Sequence, residues 1–105
     1  MSRVLLVDDD ALLTELLTEY LSAEGLDVHS VPDGEAGVQE ILSGQYDVVV
    51  LDSMMPKMNG FDVCKTVKHE LQMNEVFIVI LTAKGQENDR IKGNEVGADR
   101  YITKP

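Results

Sequence analysis

Val4-Leu5-Leu6-Val7-Asp8-Asp9-Asp10 decides how the rest of this chain is read. Four consecutive apolar residues are too few for a helix and suit a strand buried on both faces, as in a parallel sheet. Three acids follow where the run ends. The same juncture recurs: Val48-Val49-Val50-Leu51 runs into Asp52, Val79-Ile80-Leu81 into Thr82, and Tyr101-Ile102-Thr103 into Lys104-Pro105. If these runs are neighbouring parallel strands, their polar ends share the carboxyl edge of one sheet, where open α/β sheets bind ligands. Acids, a hydroxyl and an amine then converge on one spot. That combination suits a divalent cation and a phosphoryl group.

Between those runs the hydrophobic period changes. Leu12, Leu13, Leu16, Leu17, Tyr20 and Leu21 recur at helical spacing, and Gly25 follows as a stop. Asp27 to Val31 reads as a weaker strand. Pro32-Asp33-Gly34 turns the chain into a helix carrying Ala36, Val38, Ile41 and Leu42, closed by Gly44. Asp47 to Leu51 reads as the strongest strand. Residues 55–60 form a loop, because Pro56 and Gly60 interrupt regular structure, and Asn59 caps a third helix bearing Phe61, Cys64, Val67 and Leu71. Val76 to Leu81 makes a fourth strand, residues 86–96 a weakly apolar helix stopping at Gly97, and Arg100 to Thr103 a short fifth strand.

Such β-α alternation predicts an α/β fold, a parallel sheet with right-handed crossovers and helices on both faces. A helix is expected after the fifth strand, so residues 1–105 read as one domain without its last helix. Part of the Val4–Val7 and Tyr101–Ile102 surface is then expected to face water beside the first helix. Marginal stability or self-association would follow.

Composition narrows the function. At 105 residues, 44% hydrophobic and 27% charged, the chain has the makeup of one ordinary globular domain. A formal net charge of −10 argues against direct nucleic-acid binding and favours cations and basic protein surfaces. The single Cys64 has no internal disulfide partner and no zinc-type spacing, which points to a reducing, cytoplasmic setting. No apolar stretch approaches the length of a membrane span, and Met1-Ser2-Arg3 leads straight into a strand and not into a signal peptide. Cys64, Met73, His29 and His69 are assigned to core or surface without a chemical role.

The acidic pair Asp8-Asp9, the setting Leu51-Asp52-Ser53-Met54-Met55-Pro56, and then Met58-Asn59-Gly60, Thr82-Ala83, Gly97-Ala98-Asp99 and Lys104-Pro105 together resemble the receiver domain of two-component response regulators along the whole chain. The resemblance implies a flavodoxin-like, doubly wound five-stranded sheet in the order 2-1-3-4-5. It implies that Asp52 accepts a phosphoryl group from a kinase phosphohistidine with Mg2+ bound. Asp9 would ligate the metal directly, Asp8 mainly through water, and the Met54 backbone carbonyl would join Asp52 as a further ligand. Lys104 would neutralise one phosphoryl oxygen and Thr82 donate to another, while Tyr101 turns inward as a switch residue. Implied partners are a sensor histidine kinase or histidine phosphotransfer protein and an output domain or partner protein, with a homodimer as one assembly. Such a domain assists its own phosphorylation and dephosphorylation but signals and does not turn over substrate. The stretch from Asp89 to Tyr101 resembles receivers fused to DNA-binding or cyclic-nucleotide-producing outputs. With Met54 and Lys84 flanking the site, no amide or acid side chain is there to position a hydrolytic water, so a long-lived phosphorylated form is expected.

Elementary electrostatics supports a metal. Two carboxylates about 4 Å apart repel by roughly 4 kcal/mol at an effective dielectric near 20. Three can share a crevice in ionised form only around a cation, and magnesium prefers oxygen ligands, water and phosphate oxygens. Two other readings compete. A haloacid-dehalogenase-type phosphatase would use Asp8 as nucleophile and Asp10 as general acid, with Thr82 and Lys104 as its later polar residues. It leaves Asp52 without a task. The other is an interaction module that is never phosphorylated.

Overall fold

The computed structural model describes residues 2–55, 58–82 and 96–103. The elements follow the expected alternation: β1 (Arg3–Val7), α1 (Ala11–Ala23), β2 (Asp27–Val31), α2 (Gly34–Ser43), β3 (Val48–Asp52), α3 (Gly60–Lys65) with a π-helical continuation Thr66–Glu70, β4 (Phe77–Thr82) and β5 (Arg100–Thr103). All pairings are parallel and the strand order is β2-β1-β3-β4-β5. The expected helix over 86–96 falls outside the described residues, except for Val96, which lies in a turn.

Sequence dictates where the helices begin and end. Asp10, Asp33 and Asn59 each stand just before a helix and accept a hydrogen bond from the backbone N–H three residues on, at 3.1, 2.9 and 3.0 Å. At the end of α1, Leu26 N–H donates to the Leu21 carbonyl and Gly25 N–H to that of Ser22, with Gly25 at φ 90°. This paired closure needs a left-handed residue, which glycine supplies without steric cost.

The strand order steps one way from β1 to β2 and the other way from β2 through β5, so right-handed crossovers set α1 on one face and α2 and α3 on the other. Leu5, Val7, Val49, Leu51, Ile78 and Ile80 point to the second face and pack with Ile41, Phe61, Val63, Cys64 and Val67 as the main core. The Cys64 thiol donates to the Val96 carbonyl at 3.4 Å, and burial pushes its pKa up to about 12, which makes it a packing residue with little thiolate at neutral pH.

Four details depart from expectation. Strands β3 and β4 both sit one residue later than the apolar runs suggest. The ladder continues through Asp52, which pairs with Leu81, while Asp47 lies at the entry, donating its N–H to the Arg3 carbonyl at 2.9 Å and accepting from Phe77 N–H at 3.0 Å. The third helix does not stay α-helical to Leu71. It widens after Lys65, Leu71 N–H donating to Thr66 five residues back, and Leu71 is exposed. Nor does the Val4–Val7 surface face water: Val4 and Leu6, which point to the α1 face, are buried. Among the apolar groups left exposed are Ile102 at 49% and, along α1, Leu12 at 67%, Leu16 at 56% and Tyr20 at 65%. Among the described residues no helix is long and apolar enough to cross a membrane.

Candidate acidic site at the carboxyl edge of the sheet

Register brings the acids together. Val7 pairs with Leu51, so the next residues, Asp8 and Asp52, leave adjacent strands side by side. Asp9 joins them from the turn before α1, and one carboxylate oxygen from each of the three lies within 4.8 Å of the others. Asp8 and Asp52 are buried, at 7% and 6% exposure, and Asp9 is open to solvent. Asp8 Oδ1 accepts from Asp10 N–H at 2.9 Å, and Asp52 Oδ1 accepts from Met54 N–H at 3.4 Å. At that separation each ionised pair repels by roughly 3 kcal/mol at an effective dielectric near 20. The nearby amino end of α1 contributes an offset of about 0.3–1 kcal/mol per charge. Three hard oxygen donors in a half-open crevice fit a magnesium ion that keeps water ligands and takes phosphate oxygens.

Gly60 holds the other side of the site. A Cβ there would stand 2.3 Å from the Asp52 carbonyl oxygen, so only glycine lets α3 start directly against the end of β3. Thr82, 1% exposed, ends β4 one residue beyond the Asp52–Leu81 pair. Tyr101 pairs with Ile80, shares its face and is half-buried against the core. The Met54 side chain is exposed, so its backbone is the part near Asp52. Lys104 lies outside the described residues, as do Pro56, Lys57 and Lys84. Beside the acids a crevice of about 140 Å³ is lined by Asp8, Asp9, Thr14, Ser30 and Pro32. A larger groove, about 600 Å³, runs between α2 and α3 past Asp33, Glu35 and Met58, away from the trio.

The response regulator receiver domain profile matches residues 4–105. This chain belongs to the response regulator receiver family. Over all 105 residues the receiver domain is 45% identical to the transcriptional regulatory protein CpxR of Escherichia coli K12, and over 103 residues 46% identical to RprY of Bacteroides fragilis. It covers 100% and 98% of its own length in these matches but only 44% and 43% of theirs, so the chain spans less than half the length of those relatives. Among solved structures it superposes on the Francisella response regulator 1452 receiver domain with TM-score 0.92 at 30% identity, covering 100% of this chain and 85% of that one. With the Thermotoga maritima response regulator TrrA, solved in complex with Mg2+-BeF, the TM-score is 0.88 at 32% identity, with 100% and 88% coverage.

The receiver domain is thus a phosphoacceptor module of two-component signalling. The haloacid-dehalogenase-type alternative finds no support. The family match spans nearly the whole chain, and Asp10, its required general acid, is the exposed cap of α1 with its carboxylate on Leu13 N–H. Sequence reasoning passed over Ser53, whose buried hydroxyl has no hydrogen-bond partner among the described residues. Its only signal was a polar residue continuing an apolar strand. Also passed over was the ion pair of Lys68 with Asp99 at 3.1 Å, which links residues far apart in the chain.

Proposed function

We propose that Asp52 accepts a phosphoryl group from the phosphohistidine of a sensor histidine kinase or histidine phosphotransfer protein. A carboxylate oxygen of Asp52 bonds to phosphorus as the P–N bond breaks, and the electron pair returns to the imidazole nitrogen, which takes up a proton. The convergence of Asp8, Asp9 and Asp52 at the sheet edge carries this reading. Those three carboxylates and the Met54 backbone carbonyl would hold Mg2+. The bound ion supplies charge neutralisation for the acids and the incoming phosphoryl oxygens. Thr82 donates its hydroxyl proton to one phosphoryl oxygen, and the Lys104 ammonium neutralises another. Thr82 and Tyr101 form the switch: contacts made only by the phosphorylated form bias an existing equilibrium toward Thr82 engaged and Tyr101 turned inward.

The longer relatives are transcriptional regulators, and the corresponding role here is control of an attached output domain or a partner protein, in the cytoplasm. With a formal charge of −10 the receiver domain itself leaves nucleic acid to that output. Incubation with acetyl phosphate and Mg2+, followed by trapping of the acyl phosphate and mass spectrometry, should label Asp52. Labelling undiminished in Asp52→Asn would overturn the assignment.

A further inference from the structure

Ser53 stands immediately after Asp52, 1% exposed, its Oγ without a hydrogen-bond partner among the described residues. A buried hydroxyl left unmatched is destabilising, and native structures tolerate few of them. Its position is informative. Leu51 pairs with Ile80 and Asp52 with Leu81, and Ser53 N–H extends the ladder by donating to the Leu81 carbonyl at 2.8 Å. The next place across from Ser53 therefore belongs to Thr82. Two residues beyond Leu51 and Ile80, the two side chains share one face of the sheet, on strands about 4.8 Å apart. The start of α3 closes over this spot, since Gly60 N–H donates to the Ser53 carbonyl at 3.3 Å.

We infer that Ser53 is a positioning residue for Thr82, an inference that rests on the phosphoacceptor reading above. A hydroxyl carries one donor and two acceptor lone pairs. When Thr82 commits its proton to a phosphoryl oxygen, its lone pairs are left to accept from Ser53 Oγ–H. The chain Ser53 to Thr82 to phosphoryl oxygen satisfies the orphaned group, and each bond polarises the next. The unmatched hydroxyl thus disfavours the resting arrangement, and its satisfaction favours the engaged one.

The test combines thermal melts in metal-free buffer with titration of beryllofluoride in Mg2+ followed by 19F NMR, on the wild type, Ser53→Ala, Thr82→Ala and the double variant. Ser53→Ala should melt above the wild type and bind beryllofluoride about three- to tenfold more weakly. In the Thr82→Ala background the same substitution should change affinity no further, because its receiver is gone. An unchanged or lower resting melting temperature, an unchanged affinity, or a loss that persists without Thr82 would each overturn the inference. A wild type that binds no beryllofluoride overturns the Asp52 reading and this inference with it, whereas normal wild-type binding with an unaffected Ser53→Ala overturns this inference alone.

Discussion

The two edges of the sheet use the same side-chain types to opposite ends. At the amino edge, acids meet cations and backbone donors. Arg3 Nε lies 3.2 Å from Asp27 Oδ2, Arg3 N–H donates to Asp47 at 2.8 Å, and the guanidinium rests 4.7 Å over the Tyr46 ring. Tyr46 Oη donates to Glu40 at 2.5 Å, and Asp99 accepts from Ile78 N–H at 2.8 Å while pairing with Lys68. At the carboxyl edge three acids crowd one another. One edge sets acids against cations and backbone donors, and the other gathers three carboxylates at one spot.

The difference can be broken at either edge. The largest change is expected at the acid trio. In metal-free buffer Asp52→Asn relieves the crowding of Asp8 and Asp9 and should stabilise the fold, and Mg2+ should stabilise the wild type more than the variant. Urea melts with and without Mg2+ check both, and a destabilised variant would show that the trio is already balanced within the protein.

Asp99→Ala attacks the other edge and should have the opposite sign. Lys68 Nζ is largely buried, donating to the Val76 carbonyl at 2.6 Å. Loss of its carboxylate should cost about 1–2 kcal/mol, less than a fully buried pair because Asp99 is one-third exposed. Denaturant melts that show no change would mean that water replaces the pair freely.

Tyr46 offers a milder test by pH. Burial first, and then the hydrogen bond to Glu40, push its pKa up to about 12 from 10.0. The folded state therefore holds the phenolic proton longer than the unfolded state. Its contribution is fully present below pH 10 and is lost between about pH 10 and 12, with a slope of at most about 1.4 kcal/mol per pH unit. Tyr46→Phe should remove that portion of the alkaline stability loss, and a wild-type curve no steeper than the variant's would contradict the shift.

The smallest effect is kinetic. Met54, exposed beside Asp52, cannot orient a hydrolytic water, so Met54→Asn should shorten the lifetime of the aspartyl phosphate by about severalfold. Phosphate-release assays decide it, and a slower variant would reverse the argument.

Where side-chain identity is enough, the sequence was informative. The apolar runs marked the buried strands, Asp10, Asp33 and Asn59 stood at the helix starts, Gly25 at a helix end, and the acids that converge were those expected to. What stayed hidden depends on pairing at a distance. The one-residue offset of β3 and β4 reflects the shared ladder between them, which no single run encodes. The π-helical turn at Thr66–Glu70 has no composition signal, and it carries Lys68, whose partner Asp99 lies across an intervening strand. The orphan at Ser53 is a matter of what is missing around it, which only packing reveals. Burial of Val4 and Leu6 likewise depends on packing that the apolar run alone does not encode.

The contact between Arg3 N–H and Asp47 spans 44 residues, and β1 pairs with β3 along its length. During synthesis at about 5–20 residues per second, Val4–Val7 therefore emerges roughly 2–9 s before its central partner exists. An apolar, β-prone segment left waiting is an aggregation hazard, and charges directly flanking it act as gatekeepers. Asp8, Asp9 and Asp10 occupy that flank. Two of them, Asp8 and Asp9, are carboxylates that would later help hold a cation, so the same charges would serve the newborn strand before there is any site to speak of.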